Sequence, residues 1–75
     1  MNTKTINGMI MDSSESIASH LINSGLPFYD LYRELRSNMG HSLSVGGVET
    51  IYLTDNSHAE VYIMTNEIKL VGGSI

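Results

Sequence analysis

A serine with catalytic potential stands near the middle of the chain, in the stretch "GHSLSVGG". Nucleophilic serines often occupy the motif G-x-S-x-G, on a sharp turn that leads from a strand into a helix. Ser42 has a glycine two residues before it, but Ser44 stands where the second glycine is required. The order of predicted elements is also reversed, because a helix precedes Ser42 and a strand follows it. Asp55 and His58, the possible triad partners, fall in a predicted hairpin turn, where these residue types are ordinary. We therefore predict that Ser42 is not a nucleophile and that the protein is not an enzyme.

Three histidines could provide metal ligands, namely His20, His41 and His58. They fall in different predicted elements, and no two of them have the helical spacing of a metal-binding pair. The chain contains no cysteine, which excludes disulfides and cysteine-ligated zinc. The glycine pair of "SVGGVET" lacks the spacing and the lysine of a phosphate-binding loop, and it leads into a strand. We expect neither a metal nor a cofactor.

Tyrosine and arginine, the residue types that most often carry binding energy at protein interfaces, occur together in one predicted helix. Phe28 and Tyr32 fall on the apolar face of this helix and are expected in the core. Tyr29, Arg33 and Arg36 fall on its outer face. These three residues are therefore the first candidates for contact with a protein partner.

Two further tyrosines, Tyr52 and Tyr62, belong to predicted strands. Both faces of these strands carry apolar side chains, so one face can pack on the helices while the other meets a second subunit or a partner. We predict that Tyr52 and Tyr62 form a second contact patch, on whichever face of the sheet the helices leave open.

The length of 75 residues predicts one small domain that spans residues 1–75. A single core in this size range rarely supplies more than about 3–5 kcal/mol of net stability. Because disulfides are excluded, we expect self-association as a homodimer or docking on a partner to supplement the core.

The charge balance argues against several classes of partner. Four basic and eight acidic residues give a formal net charge of −4, and only Arg33 and Arg36 lie close together. Binding to a phosphate backbone relies on clusters of basic residues, so direct nucleic-acid binding is not expected. The scattered carboxylates are typical of a solubilising surface rather than of nucleic-acid mimicry. No signal-peptide pattern and no run of roughly 20 apolar residues occurs, so we expect a cytoplasmic protein that does not enter membranes.

Two stretches have the apolar spacing of amphipathic helices, and the short link between them predicts a helical hairpin. In "DSSESIASHLINSG", Asp12 is the predicted N-cap, Glu15 its capping-box partner, and Gly25 the left-handed residue after the helix. In "PFYDLYRELRSNMG", Pro27 is expected at the first helical position, and Gly40 is expected to end the helix.

The second half of the chain is rich in β-branched and aromatic residues and predicts a β-meander of three short strands over residues 48–71. Within it, alternation places Val61 and Ile63 on one face and Tyr62 and Met64 on the other. The meander is expected to supply the sheet on which the helices pack.

Glycine-containing pairs leave two local questions open. Gly46-Gly47 is either a two-residue hairpin turn, which adds a fourth strand, or a bulge. Asn7-Gly8 is a strong hairpin dipeptide, but its flanks are short, so we predict a single N-terminal edge strand. Residues 71–75 are expected to form a short flexible tail.

The predicted fold class is α+β, with a two-helix hairpin packed on a three- to four-stranded antiparallel meander. The corresponding functional hypothesis is a small, acidic, non-catalytic protein that binds and modulates or inhibits another protein. Phage and mobile-element accessory factors of similar size and composition, such as anti-CRISPR proteins, inhibit host nucleases and other host enzymes, which makes a nucleic-acid-handling host protein a candidate partner. The alternative is a dimeric, antitoxin-like regulator acting at DNA, although the helix with two arginines also carries Asp30 and Glu34.

Overall fold

Two helices lie on one face of a four-stranded antiparallel sheet, which confirms the predicted α+β class with its helical hairpin and meander. The computed structural model describes residues 2–70. The elements in chain order are β1 (Thr3–Ile6), β2 (Met9–Asp12), α1 (Ile17–Ile22), α2 (Phe28–Ser37), β3 (Met39–Val45), β4 (Val48–Leu53), β5 (His58–Tyr62) and β6 (Glu67–Leu70). The main sheet has the order β3-β4-β5-β6, and β1 pairs with β2 in a separate two-stranded sheet.

Alternation along the central strand β4 separates the two faces of the main sheet. Glu49, Ile51 and Leu53 are buried, whereas the residues between them are half-buried. Antiparallel pairing aligns Ile51 with Ala59 and Glu49 with Val61, so the same face of β5 is buried as well. We call the face that contacts the helices the covered face and the opposite one the open face.

The core lies between the covered face and the helices. Ile17 and Leu35 from the helices, and Ile51 and Val61 from the sheet, are fully buried. The remaining buried apolar residues are Met11, Ala18, Leu21, Leu31, Leu53 and Ala59. Phe28 and Tyr32 pack against this core but stay half-buried, because they lie at its margin.

The glycine pair between β3 and β4 forms a hairpin turn, which settles the alternative of a bulge at this position. Gly46 has a φ of 59° and Gly47 a φ of 83°, the left-handed values that a two-residue hairpin turn with both residues at positive φ requires. Val45 pairs directly with Val48 across this turn, so the sheet gains a fourth strand. A register shift occurs instead at the start of β3, between Met39 and His41.

The N-terminal segment differs from the predicted single edge strand. It forms a complete hairpin, β1–β2, around a turn in which Asn7 has a φ of 53° and Gly8 a φ of 82°. The short flanks suffice because packing stabilises them: Met11 is buried in the core, and Ile6 and Met9 contact it. The hairpin dipeptide was therefore the stronger local signal.

The first helix begins later than predicted. Ser16 is the N-cap of α1, and its side chain accepts a hydrogen bond from the backbone N–H of Ser19. Asp12 belongs to β2 instead, although its own N–H still donates to the Glu15 carboxylate at 3.1 Å. Pairing with β1 thus extends strand β2 to Asp12, the residue predicted to cap the helix. Gly25 has the expected left-handed φ, 80°.

The second helix ends earlier than predicted. Pro27 is its N-cap rather than its first helical residue, and Asn38 is its C-cap. The Asn38 side-chain amide donates to the carbonyl oxygen of Glu34 at 2.9 Å, which satisfies the end of the helix without Gly40. Gly40 lies in β3. Neither helix within residues 2–70 is long and apolar enough to cross a membrane.

The ends of the meander also differ in detail. The prediction that Ile63 and Met64 continue the strand is wrong, because β5 ends at Tyr62 and both residues lie in the turn before β6. Strand β6 is described as far as Leu70. The predicted tail, residues 71–75, lies outside the described residues.

Candidate functional site

The open face of the sheet presents mixed aromatic, apolar and charged side chains. Pairing between the four strands assigns to it His41, Leu43, Val45, Val48, Thr50, Tyr52, His58, Glu60, Tyr62, Glu67 and Lys69. Among the residues that the structure describes, none on this face is buried. The open face is therefore a surface that the fold itself does not need to fill.

An aromatic row crosses the open face near one end of the strands. The ring of Tyr52 stacks on His41 at a centroid distance of 4.5 Å and on His58 at 5.1 Å. Each histidine pairs with Tyr52 across a neighbouring strand, so the three rings lie side by side over β3, β4 and β5. The three rings therefore form one stacked row across three strands.

A shallow depression of about 290 Å³ lies next to this row. Its lining consists of Leu43, Val45, Val48, Thr50, Glu60 and Tyr62. Three aliphatic side chains thus face one carboxylate across the depression. Such a combination suits an apolar group that carries or adjoins a positive charge.

Tyr62 and its neighbours fix the polar side of the depression. The Tyr62 hydroxyl donates a hydrogen bond to Glu60 Oε1 at 2.6 Å, and this bond is the main reason that the pKa of Tyr62 is raised above its ordinary value. Lys69 Nζ lies 5.0 Å from the centre of the Tyr62 ring. The tyrosine is therefore held between a carboxylate and an ammonium group.

Exposed apolar side chains collect at the end of the sheet opposite the aromatic row, beside the β3–β4 turn. Met64 is 91% exposed, Val45 78%, Leu43 57% and Ile63 51%. The turn that carries Ile63 and Met64 is tied to the β3–β4 turn by a bond from the Ile63 N–H to the Gly47 carbonyl at 3.1 Å. We call these four side chains the apolar end.

The structure brings together the two tyrosines that sequence reasoning proposed on the sheet. Tyr52 and Tyr62 both lie on the open face, one in the aromatic row and one in the depression. Their shared face follows from the pairing of Tyr52 with His58 and of Val48 with Tyr62. The second patch therefore has the geometry of one continuous surface.

The three candidates on α2 do not form a comparable patch. Tyr29 is 74% exposed, and Arg33 pairs with Asp30 along the same helix at 2.6 Å. Arg36 instead reaches Glu49 of the sheet at 3.1 Å. Two of the three side chains are thus on the outer surface, while the third is part of the contact between helix and sheet.

Glu49, which was not singled out from the sequence, is the centre of that contact. Its carboxylate is buried on the covered face and accepts a hydrogen bond from the Tyr32 hydroxyl at 2.8 Å and another from Arg36 at 3.1 Å. The bond to Glu49 raises the pKa of Tyr32, so this hydroxyl remains a donor. Its phase on β4, shared with Ile51 and Leu53, is a weak signal, because Val48 and Tyr52 make the opposite phase apolar as well.

Asp55 has a structural role that long-range contacts create. Its carboxylate accepts the N–H of Ile17 at 2.8 Å, and Ser57 Oγ accepts the N–H of Ala18 at 3.2 Å, so the β4–β5 turn caps helix α1. Partial burial works to raise the pKa of Asp55, but hydrogen bonds from Ser57 and Ile17 outweigh it and lower that pKa.

The residues first considered for catalysis or metal binding lie apart in distinct settings. Ser42 lies in β3 opposite Ile51 on the covered side of the sheet, while Asp55 is engaged with α1. His20 lies near Glu15, with 3.3 Å between Nδ1 and the carboxylate. Within the described residues, no three His, Asp or Glu side chains come together as a metal site.

Comparisons with protein-family models, curated proteins and solved structures gave no match to this chain. Function is therefore inferred from the chain's own residues. The open face, with the aromatic row, the depression and the apolar end, is the best-formed candidate site.

Proposed function

We propose that the protein is a small non-catalytic binding protein that docks on a basic protein surface through its open face. The main support for this proposal is the clustering of exposed apolar side chains at the apolar end. Four of the eight large apolar side chains that are exposed in the described residues lie at that one end of the sheet, beside the depression. Exposed apolar side chains grouped in this way are typical of protein interaction sites.

The shape of the site supports a macromolecular partner over a small ligand. The depression, at about 290 Å³, is at the low end of the volumes that enclose small molecules, and it opens onto the apolar end. A protruding side chain of a partner can fill it while the surrounding residues exclude water. Tyr52 and Tyr62 then supply rigid aromatic contact area.

Charge supports a basic partner. The chain has a formal net charge of −4, and Glu60 lines the depression. We therefore propose an apolar partner residue flanked by lysine or arginine, drawn in by electrostatic steering. Nucleases and other nucleic-acid-handling proteins carry such basic surfaces, which agrees with the analogy to cytoplasmic phage accessory inhibitors.

The alternative of a DNA-bound regulator receives less support. Arg33 and Arg36 are the two neighbouring cations that could contact phosphates, and both are paired with carboxylates of the chain. Phosphate binding would require these pairs to open. We therefore expect that any nucleic acid in the complex is bound by the partner and not by this protein.

A matched pair of double variants tests the proposal by quantitative affinity capture from a host lysate. Y62A/M64S removes one side chain from the depression and one from the apolar end, whereas Y29A/I10S removes an exposed tyrosine and an exposed aliphatic residue elsewhere. We expect one basic protein to be captured stoichiometrically by the wild type and by Y29A/I10S. Its recovery should fall about tenfold or more with Y62A/M64S, because truncated interface anchors weaken binding to this degree.

Two results would contradict the proposal. One is capture that Y29A/I10S abolishes and Y62A/M64S leaves intact, since this would move the site to α2 or the N-terminal hairpin. The other is recovery of nucleic acid, with nuclease treatment removing every captured protein. Circular dichroism of both double variants serves as the control for folding.

A further inference from the structure

The two edges of the main sheet differ in how they are protected. β6, at one edge, carries the charged residues Glu67 and Lys69 within its described range, Glu67–Leu70. β3, at the other edge, has seven residues, Met39–Val45, with no charged residue and no proline. Natural proteins protect exposed edges by shortness, charge or proline, because an unprotected edge pairs with other strands.

The outer edge of β3 also has free hydrogen-bonding capacity. In the part of the chain that the structure describes, the backbone of residues 40–45 forms hydrogen bonds with β4 and with no other element. The helices pack on β4 and β6, and Ser44, which lies on the covered side of β3, is exposed. A row of backbone N–H and C=O groups is thus available for another strand.

We propose that β3 pairs antiparallel with β3 of a second copy of this chain, which joins two four-stranded sheets into one of eight strands. With a two-fold axis at Leu43, this residue pairs with the same residue of the second copy, and both side chains lie on the open face. Val45 then lies opposite His41 of the partner subunit, and on the other face Ser42 lies opposite Ser44 of the partner subunit. Apolar and aromatic groups meet on one face and hydroxyls on the other, so the strand is self-complementary.

Charge favours a second copy over a foreign peptide as the occupant. Each chain has a net charge of −4, yet the paired segment contains no charge that would repel its own copy. An acidic or basic foreign strand would find no charged side chain on β3 to recognise it. Self-pairing also supplements the limited stability that a chain of 75 residues gains from a single core. The inference does not depend on the proposed function.

The contact is limited to one strand and its side chains, which places it among small interfaces that form reversibly. We expect sedimentation to show a shift from 8.2 kDa toward twice that mass as the concentration of wild-type protein rises into the range of roughly 100 μM. A mass of 8.2 kDa at every concentration would overturn the proposal.

Charged variants of β3 provide the specific test. S42K/S44K and S42E/S44E each place like charges against their own copies, so each should raise the dimer dissociation constant by about tenfold or more. An equimolar mixture of the two variants should restore dimers, because opposite charges then face each other. S13K/S14K, at exposed positions of the β2–α1 turn, changes the net charge by the same amount as S42K/S44K and should dimerise like the wild type.

Dimers that persist in both charged variants, or a mixture that fails to re-form them while both variants retain wild-type circular dichroism, would overturn the proposal. If the charged variants do not fold, amide hydrogen exchange of the wild type decides the matter. Exchange across residues 40–45 should slow as the protein concentration rises. Exchange that is independent of concentration would overturn the pairing.

Discussion

The covered and open faces of the sheet share the same strands but differ in what their side chains do. On β4, Ile51 is completely buried against the helices, and its neighbour Tyr52 stacks between two histidines on the surface. On β5, Val61 is buried and Tyr62 lines the depression. Neighbouring residues of one strand therefore have different roles: one stabilises the core and the next is offered to the surface. We expect substitutions on the two faces to have independent effects.

Polar residues show the same division. Glu49, on the covered face, has both Tyr32 and Arg36 as partners, as a buried carboxylate requires. Glu60, on the open face, accepts a hydrogen bond from Tyr62 and lines the depression. The buried carboxylate of the covered face is thus engaged within the chain, whereas the carboxylate of Glu60 lies at the depression.

The largest expected effect is on the covered face. Ile51→Ala should destabilise the protein by about 2–5 kcal/mol, because it removes a fully buried side chain and leaves a cavity. Since this is as large as the net stability expected for such a core, Ile51→Val, at about 0.5–1.5 kcal/mol, gives a graded measurement. Urea unfolding followed by circular dichroism measures both values.

The matched change on the open face is Tyr62→Ala. We expect it to shift the midpoint of thermal unfolding by less than about 3 °C, since the side chain lies on the surface. If Tyr62→Ala lowered the unfolding transition as much as Ile51→Ala does, the open face would be part of the core, which would contradict the division between the two faces.

An intermediate effect is expected at the buried carboxylate. Glu49→Ala leaves the Tyr32 hydroxyl and Arg36 without their acceptor, at a cost of about 1–3 kcal/mol. Glu49→Gln retains an oxygen for Tyr32 and should recover part of the loss. Urea unfolding measures the free energy of unfolding of both variants. If Glu49→Ala left that free energy unchanged, the contact between helix and sheet would not depend on these bonds.

A smaller effect than that at Glu49 is expected at the cap of α1. Asp55→Ala should cost about 1 kcal/mol at neutral pH, because the Ile17 N–H loses its acceptor. The folded-state pKa of Asp55 is below its ordinary value of 3.8, so the stabilisation is present above that pH and is lost as the pH falls below it. The difference between wild type and Asp55→Ala should shrink accordingly in urea titrations below pH 4, roughly. A constant difference would contradict the role of the charge.

Much of this architecture follows from local patterns in the sequence. The helical hairpin, the meander and the hairpin dipeptides are encoded by residues close together in the chain. Local patterns do not determine which face of the sheet the helices cover, because β4 carries apolar residues in both phases. Ile51 and Leu53 belong to one phase, and Val48 and Tyr52 to the other. Packing of the helices decides between them.

The residues that sequence reasoning missed or misplaced depend on distant partners. Asp55 caps a helix whose first residue, Ile17, is 38 positions away, so its local type in a turn gave no sign of this contact. Arg36 lies on the outer helical face in projection, yet its side chain reaches Glu49 on a strand. Helical periodicity describes directions around one helix and cannot supply such partners.

Hydroxyl-radical footprinting of the complex with the captured partner is the decisive test of the binding surface, because it reports on the open face and on the outer face of α2 in one experiment. Met64 and Tyr29 are both highly exposed in the free chain. We predict that partner binding protects Met64 and Tyr62 from oxidation and leaves Tyr29 oxidised as in the free protein. Protection of Tyr29 with unchanged oxidation of Met64 and Tyr62 would contradict the assignment of the open face as the binding surface.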